Sequence, residues 1–179
     1  MFTVIGDPEL NRTRLFSLAA QAEGVEVDVL PYARILAGRR DWPATLTGRQ
    51  VRLESPGRDF EVERALLARG AAFEADAPFA RISTDALQAL PRDPGLILAT
   101  RQWYLGWRDL LAEIARAGSE VGAAFLNAPS DIAVMFDKVA CHALLAQAGV
   151  PVPCALPPPG SFDELLASLG MSARKHHRP

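Results

Sequence analysis

The sequence predicts an α/β fold, an open parallel sheet with helices on both of its faces. Short apolar runs alternate with amphipathic helical stretches, and Gly, Pro, Asp or Ser marks the changes between them. The composition is 49% hydrophobic and 22% charged over 179 residues, which is typical of a globular chain and excludes a disordered or fibrous one. The formal net charge of −2 provides no electrostatic footprint for a nucleic-acid partner.

The N-terminal segment predicts a βαβ unit. Phe2–Ile5 is a short apolar strand, and Asp7 followed by Pro8 has the residue types that cap and begin a helix. The helix is expected to end at Gly24, and Val25–Leu30 is the second strand. The expected apolar face of the helix consists of Leu15, Leu18, Ala19 and Ala22.

The middle of the chain continues the alternation. Gln50–Glu54 is a predicted strand, Ser55–Gly57 a turn, and Phe60–Arg69 a helix that Gly70 closes. Leu96–Ala99 is a compact apolar run of the kind found in buried parallel strands, so a further strand is expected there.

Two long helices flank the last predicted strand, Ala123–Leu126. The first is capped by Thr100 and ends before Gly118, and the second runs from Ser130 to Ala148. Their expected buried stripes are Trp103, Trp107, Leu110, Leu111 and Ile114 in the first helix, and Ile132, Met135, Phe136, Val139, Ala143 and Ala146 in the second.

After Ala148 the composition changes to that of a proline-rich connector. The prolines between positions 151 and 159 predict a stiff, extended segment between domains. Ser161 and Glu164 have the spacing of a capping box, which predicts a short helix with Leu165 and Leu166 on its apolar face.

A polar loop after the third predicted strand contains the candidate binding residues Glu54, Ser55 and Gly57. Open parallel sheets bind ligands at the carboxyl ends of their strands, so this position favours contact with a small-molecule substrate. A solvated turn explains the same residues, and both interpretations stay open.

The remaining polar patterns predict neither a catalytic residue nor a metal site. Cys141 and Cys154 match no CxxC motif or disulfide framework, which favours a reducing, cytoplasmic setting. The neighbouring His176 and His177 have no third ligand at metal-binding spacing. No apolar run approaches the roughly 18 residues that a membrane span requires, so no membrane partner is expected.

Lys138 is unusual because it is one of only two lysines in a chain whose other basic residues are all arginine. On a helix from Ser130 to Ala148 it shares a flank with Asp131 and His142. A lysine is a compact point charge that suits a phosphate group. A lysine on the solvent face of a helix is the other interpretation, and the spacing does not decide between them.

The segment around Lys138 resembles the start of an ATP-grasp domain, as in D-alanine–D-alanine ligases and biotin carboxylases. The N-terminal part, with its Glu54–Glu63 run, resembles an uncharacterised bacterial ATP-grasp-like family. The residues that carry the first resemblance are Asn127-x-Pro129-x-x-Ile132-x-x-Met135-x-Asp137-Lys138 and Leu144-Leu145-x-x-Ala148-Gly149-Val150-Pro151-Val152-Pro153.

This resemblance implies three segments. Residues 1–128 would form a Rossmann-like preATP-grasp domain, residues 129–150 a linker helix, and residues 151–179 a Pro-rich connector with the start of the ATP-grasp lobe. It also implies that the full-length enzyme binds ATP and Mg²⁺ and activates a carboxylate as an acyl phosphate for attack by an amine or thiol. In that enzyme Lys138 would contact an ATP phosphate.

The residues after Pro153 contain none of the later ATP-grasp elements. We therefore expect an inactive N-terminal fragment that binds no cofactor alone and whose partner is the missing ATP-grasp lobes or another protein chain. The alternative is a complete small α/β binding module whose Pro-rich tail engages a partner.

Overall fold

Four parallel strands form a sheet in the part of the chain that the structure describes. The computed structural model describes residues 1–56, 59–73, 79–93 and 98–169. The strands are β1 (Phe2–Ile5), β2 (Val27–Leu30), β3 (Gln50–Leu53) and β4 (Ala124–Phe125). They lie in the order β2-β1-β3-β4, and every neighbouring pair is parallel. The predicted α/β class is therefore confirmed.

Helices connect the strands, and further helices come after the last strand, β4, along the chain. The α-helices of the described residues are α1 (Asn11–Ala22), α2 (Tyr32–Leu36), α3 (Phe60–Gly70), α4 (Thr84–Ala89), α5 (Thr100–Glu120), α6 (Pro129–Phe136), α7 (Lys138–Gln147) and α8 (Phe162–Ser168). A 3-10 helix, Trp42–Leu46, precedes β3. The sequence did not predict α2, α4 or the 3-10 helix, because segments of five or six residues are too short to show a helical period.

The hydrophobic core lies on one face of the sheet. Side chains alternate between faces along a strand, so Ile5, Val51 and Leu53 point to the same side. There they pack with buried residues of α2, the 3-10 helix, α3 and α5. The stripe predicted for α5 is confirmed, since Trp107, Leu110, Leu111 and Ile114 are buried and Trp103 packs against the core.

Helix α1 packs on the opposite face of the sheet, but with a different side from the one predicted. Its Phe16 ring meets Phe2 edge-to-face at 5.9 Å, and the Arg52 guanidinium lies 4.7 Å from the same ring. Leu15 and Leu18, expected to be buried, are 64% and 57% exposed. The aromatic contact of Phe16, one residue away from the predicted stripe, sets the orientation of the helix.

The helix also begins later than predicted, at Asn11 rather than directly after Asp7. The Asp7 carboxylate accepts a hydrogen bond from the Glu9 amide, and the Asp7 carbonyl accepts one from Leu10. These bonds close a turn between β1 and α1. Asp7 therefore stabilises the turn and does not cap the helix.

The long helix predicted from Ser130 to Ala148 is two helices. The backbone leaves the helical region at Asp137, where ψ is 97°, and the Asp137 carboxylate accepts a hydrogen bond from the Ala140 amide. Asp137 therefore caps α7, as Asp commonly does at a helix start. The predicted buried stripe is wrong for most of its length, since Met135, Phe136 and Val139 are 52%, 38% and 82% exposed, whereas Ile132 packs against the core. The predicted flank of Asp131, Lys138 and His142 is also wrong, because it requires one continuous helix.

The predicted strand at Leu96–Ala99 falls partly on residues 94–97, which lie outside the described residues. Leu98 and Ala99 are in no strand. Thr100 begins α5, but its side chain makes no cap, and Gly118 lies inside that helix rather than after it.

The chain divides into two compact units, residues 1–141 and 142–179. The first contains the whole sheet and the core. In the second, Ser161 Oγ accepts a hydrogen bond from the Glu164 amide, and the Glu164 carboxylate accepts one from the Gly160 amide. These two bonds confirm the predicted start of the C-terminal helix, α8.

Candidate functional site

A cavity of about 550 Å³ opens at the carboxyl ends of β3 and β4. We call it the Glu54 cavity. Its wall combines charged and polar residues from the strand ends and α1 with apolar residues from α5 and α6. The lining residues are Arg12, Arg52, Leu53, Glu54, Ser55, Trp107, Leu126, Asn127, Ile132, Met135 and Phe136.

The position of the cavity follows from the order of the strands. The chain leaves β1 toward β2 on one side and then crosses to β3 on the other side, so the connections that follow β1 and β3 run to opposite faces of the sheet. Open α/β sheets bind ligands in the crevice at such a reversal of strand order. Glu54 directly follows β3 and stands beside this crevice.

Glu54 is the charged centre of the cavity. Its side chain is only 4% exposed and is held by two arginines. Arg52 donates from Nε and Nη2 to Glu54 Oε1 at 2.7 and 2.6 Å, and Arg12 Nε lies 3.5 Å from Oε2. Two positive charges therefore surround one buried negative charge, and the group carries a formal excess of one positive charge.

The backbone of Glu54 is fixed as firmly as its side chain. Its amide donates to the Ile5 carbonyl at 2.8 Å, and its carbonyl accepts the Tyr32 hydroxyl at 2.7 Å. Burial raises the pKa of the Tyr32 phenol, and the Glu54 charge raises it further. At Gly6 a Cβ would lie 2.9 Å from the Glu54 Cβ, so only glycine leaves room for the Glu54 side chain. The strand ends of β1 and β3 thus hold Glu54 in one place.

Asn127 forms the opposite edge of the cavity through a paired contact. Its side-chain Nδ2 donates to the Leu53 carbonyl at 2.8 Å, and its Oδ1 accepts from the Leu53 amide at 2.9 Å. The amide side chain thereby acts as one more residue of β4 after that strand ends. It fixes the Asn127–Pro129 turn against β3 and so places the start of α6.

Aromatic rings form the apolar wall. Trp107 stacks with Trp103 at a centroid distance of 6.1 Å and meets Phe136 of α6 at 6.2 Å. Tyr32 packs edge-to-face on the other side of Trp107 at 5.3 Å. Because Tyr32 also binds the Glu54 carbonyl, the apolar wall and the charged centre form one connected unit.

Of the four candidate residues taken from the sequence, two line this cavity. Glu54 and Ser55 do so, while Gly57 lies outside the described residues. Lys138 is exposed at the start of α7, its Nζ donates to the Met135 carbonyl at 3.0 Å, and it is not among the lining residues. The structure therefore brings Glu54 and Ser55 together and leaves Lys138 apart from them.

Sequence reasoning missed Arg12, Arg52, Asn127 and Trp107 as residues of this site. Arg52 was detectable, because residues two apart in a strand share a face and Arg52 stands two before Glu54. Asn127 was detectable as a polar residue at a strand end, by the same rule that selected Glu54. Arg12 and Trp107 reach the site only through the packing of α1 and α5, which no local pattern reveals.

Within the described ranges, no group of three or more His, Cys, Asp or Glu side chains could hold a metal ion. Nor does that part of the chain contain a helix long and apolar enough to cross a membrane. Comparison with protein-family models, with curated proteins and with solved structures found no significant match to this chain. The geometry of the site and the residue pattern are thus the basis for a functional assignment.

Proposed function

We propose that this chain is the Rossmann-like, substrate-binding part of an ATP-grasp carboxylate ligase and that the Glu54 cavity binds a small carboxylate. The family assignment rests on the resemblance of the Asn127–Lys138 and Leu144–Pro153 segments. The parallel sheet agrees with it, and the cavity lies where such sheets bind ligands.

The observation that carries the proposal is the arrangement of Arg12 and Arg52 around Glu54. A guanidinium recognises a carboxylate through parallel hydrogen bonds, and the excess positive charge favours an anion over a neutral ligand. The Arg12 side chain is 66% exposed, and its Nε lies as far as 3.5 Å from Glu54 Oε2. Arg12 can therefore turn toward a ligand at little cost in free energy. The rings of Trp107 and Phe136 favour an apolar, preferably aromatic, body on that carboxylate.

The free energies of these contacts determine the expected affinity. A charge-assisted hydrogen bond contributes roughly 1.5–3 kcal/mol, and a millimolar dissociation constant requires about 4.1 kcal/mol. Two arginine contacts together with partial burial of an aromatic ring reach that range. A simple aromatic carboxylate should therefore bind with a Kd of about one millimolar.

The described residues do not themselves fit Mg²⁺, because they contain no cluster of acidic ligands. The resemblance assigns one of them, Lys138, to an ATP phosphate, and its ammonium group is exposed. One charged contact is too weak to hold a nucleotide at micromolar concentration. Under this proposal, ATP and Mg²⁺ bind to the ATP-grasp lobes that the resemblance implies, and the described chain selects the carboxylate.

The test is a titration of the ¹⁵N-labelled protein with phenylacetate and with the neutral, nearly isosteric phenylacetamide. Phenylacetate should shift the amides of Ser55 and Asn127 with millimolar affinity, and phenylacetamide should bind at least about tenfold more weakly. Arg52→Met should abolish the preference for the acid.

Arg64→Met is the matched control, since Arg64 is similarly exposed, is paired with Glu61 on α3 and does not line the cavity. It should leave both affinities unchanged. Equal binding of acid and amide, or an unchanged preference in Arg52→Met, would exclude a carboxylate site.

A further inference from the structure

Helix α1 has an exposed apolar face. Its members recur at helical spacing, and all of them are exposed: Leu15, Leu18, Ala19 and Ala22. The buried residue of this helix, Thr13, lies on the opposite side, so the face points away from the sheet. We call these four residues the α1 stripe. Apolar side chains that adjoin one another on a surface mark an interaction site, unlike apolar side chains that are scattered singly.

Helix α8 has a second exposed apolar face of matching length. Its members are Phe162, Leu165, Leu166 and Leu169, and we call them the α8 stripe. The structure describes every residue of α8, and none of them is buried. A helix this short is not stable in water without a surface to pack on. Each stripe extends over about two helical turns, and the two alanines of the α1 stripe leave room for the larger side chains of α8.

The charges beside the two stripes are opposite. Helix α1 contains two arginines and no acidic residue, whereas α8 contains two acidic residues and no basic one. Arg14 lies one turn before Leu18, at the border of the α1 stripe, and Asp163 lies one turn before Leu166. Neither Arg14 nor Asp163 makes an ion pair with another described residue. Each stripe thus borders a charge that the other stripe can neutralise.

We propose that the α8 stripe of one molecule docks on the α1 stripe of a second copy of this chain, and that the exchange is reciprocal. The two equal contacts then close a symmetric dimer, in which Arg14 of each copy pairs with Asp163 of the other. Residues 150–161, before α8, are in no helix or strand. Proline-rich connectors are stiff and extended, which favours an α1 in another molecule over the α1 of the same chain. This inference does not rest on the Glu54 cavity.

The first experiment measures the mass of the whole chain in solution by analytical ultracentrifugation. The mass should rise from 19.3 kDa toward twice that value as the protein concentration increases from about one micromolar to about one millimolar. Leu18→Glu should weaken the association at least about tenfold, because it places a charge in the buried contact. Leu144→Glu is the matched control, since Leu144 is also 57% exposed but lies on α7. It should leave the association unchanged.

Two results of this experiment would overturn the inference. One is a chain that stays monomeric at about one millimolar. The other is a dimer that Leu18→Glu weakens no more than Leu144→Glu does, because its interface then lies away from the α1 stripe.

The second experiment exchanges charges between copies. Arg14→Glu and Asp163→Arg each place like charges at both contacts of the dimer, so each variant alone should associate about three- to tenfold more weakly. In an equimolar mixture, a dimer of one Arg14→Glu copy and one Asp163→Arg copy has opposite charges at both contacts. The mixture should therefore associate as tightly as the unaltered chain, and native mass spectrometry should show the mixed dimer. Docking of α8 on the α1 of the same chain gives no gain on mixing, and that result would overturn the reciprocal exchange.

Discussion

Gly70 and Gly106 face each other where α3 crosses α5. A Cβ at Gly70 would lie 1.8 Å from the Gln102 carbonyl oxygen, and one at Gly106 would lie 1.9 Å from the Leu66 carbonyl oxygen. The two helices therefore approach until their backbones are in contact. Gly70, which the sequence predicts to end the helix, is the last residue of α3 and also a point of close packing between the two helices.

Gly70→Ala or Gly106→Ala should lower the free energy of unfolding by about 3 kcal/mol or more, because the added methyl group meets backbone rather than a movable side chain. Urea denaturation followed by circular dichroism measures the change. Gly160→Ala is the control, since its nearest neighbour is the flexible Glu164 carboxylate. A loss below about 1 kcal/mol at both positions would contradict the close approach.

Glu54→Gln should have opposite effects on stability and on ligand binding. Replacing the buried carboxylate weakens two arginine contacts, which should cost about 1–3 kcal/mol of unfolding free energy. The site then carries two positive charges instead of one, so phenylacetate should bind more tightly. Glu61→Gln, at an exposed ion pair with Arg64, should change neither by more than about 0.5 kcal/mol. Weaker phenylacetate binding in folded Glu54→Gln would refute this account.

Tyr32 should make the protein sensitive to alkali. Because burial and the Glu54 charge raise the pKa of its phenol, Tyr32 stays protonated in the folded state at a pH where the unfolded chain loses that proton. Stability should therefore fall as the pH rises above the unfolded pKa of about 10, by up to roughly 1.4 kcal/mol per pH unit. Urea midpoints between neutral and alkaline pH would measure the slope. Tyr32→Phe lacks the titrating group and should show a shallower decline; parallel curves would disprove the assignment.

Asp41 should contribute to stability at neutral pH and lose that contribution in acid. Hydrogen bonds from Arg39 and Arg34 lower the pKa of its carboxyl to about 2. The contribution is present above the unfolded pKa of about 3.9 and disappears as the pH falls toward 2. The difference in melting temperature between the native chain and Asp41→Asn should shrink over this interval. The group is exposed, so the difference should also be small in about 1 M salt; a difference that persists at low pH speaks against the prediction.

Lys138 can be tested only in a longer chain that contains the implied ATP-grasp lobes. There Lys138→Ala should weaken ATP binding roughly ten- to hundredfold, as expected for the loss of one charged phosphate contact. Calorimetry with ATP provides the measurement. The control is Arg116→Ala, which removes a different exposed cation, on α5. It should leave the ATP affinity unchanged. An unchanged ATP affinity in Lys138→Ala would identify Lys138 as an ordinary surface residue.

The sequence was sufficient to predict the helices and strands whose residue pattern is long or has clear ends. The strands β1 and β3, the stripe of α5 and the cap of α8 by Ser161 all follow from periodicity and capping chemistry. It was insufficient at α1 and at Asp137. In both places a single side chain, Phe16 on Phe2 or the Asp137 carboxylate on the Ala140 amide, overrides the apolar pattern.

The candidate site was partly predictable for a similar reason. Glu54 and Ser55 follow from the general rule about strand ends, which requires only a correct strand boundary. Arg12 reaches Glu54 from another element, and Trp107 lines the cavity only because of the way α5 packs. Both are properties of the packed chain, and a residue pattern carries no information about them.

The contact between Asn127 and Leu53 also closes one edge of the sheet to a further strand. An outer strand with free N–H and C=O groups is a template on which another chain can add a strand. Here β4 has only two residues, and beyond them the Asn127 side chain already occupies the amide and carbonyl of Leu53. A side chain cannot extend a ladder, so a second molecule finds little free backbone on which to add a strand at this edge of the sheet.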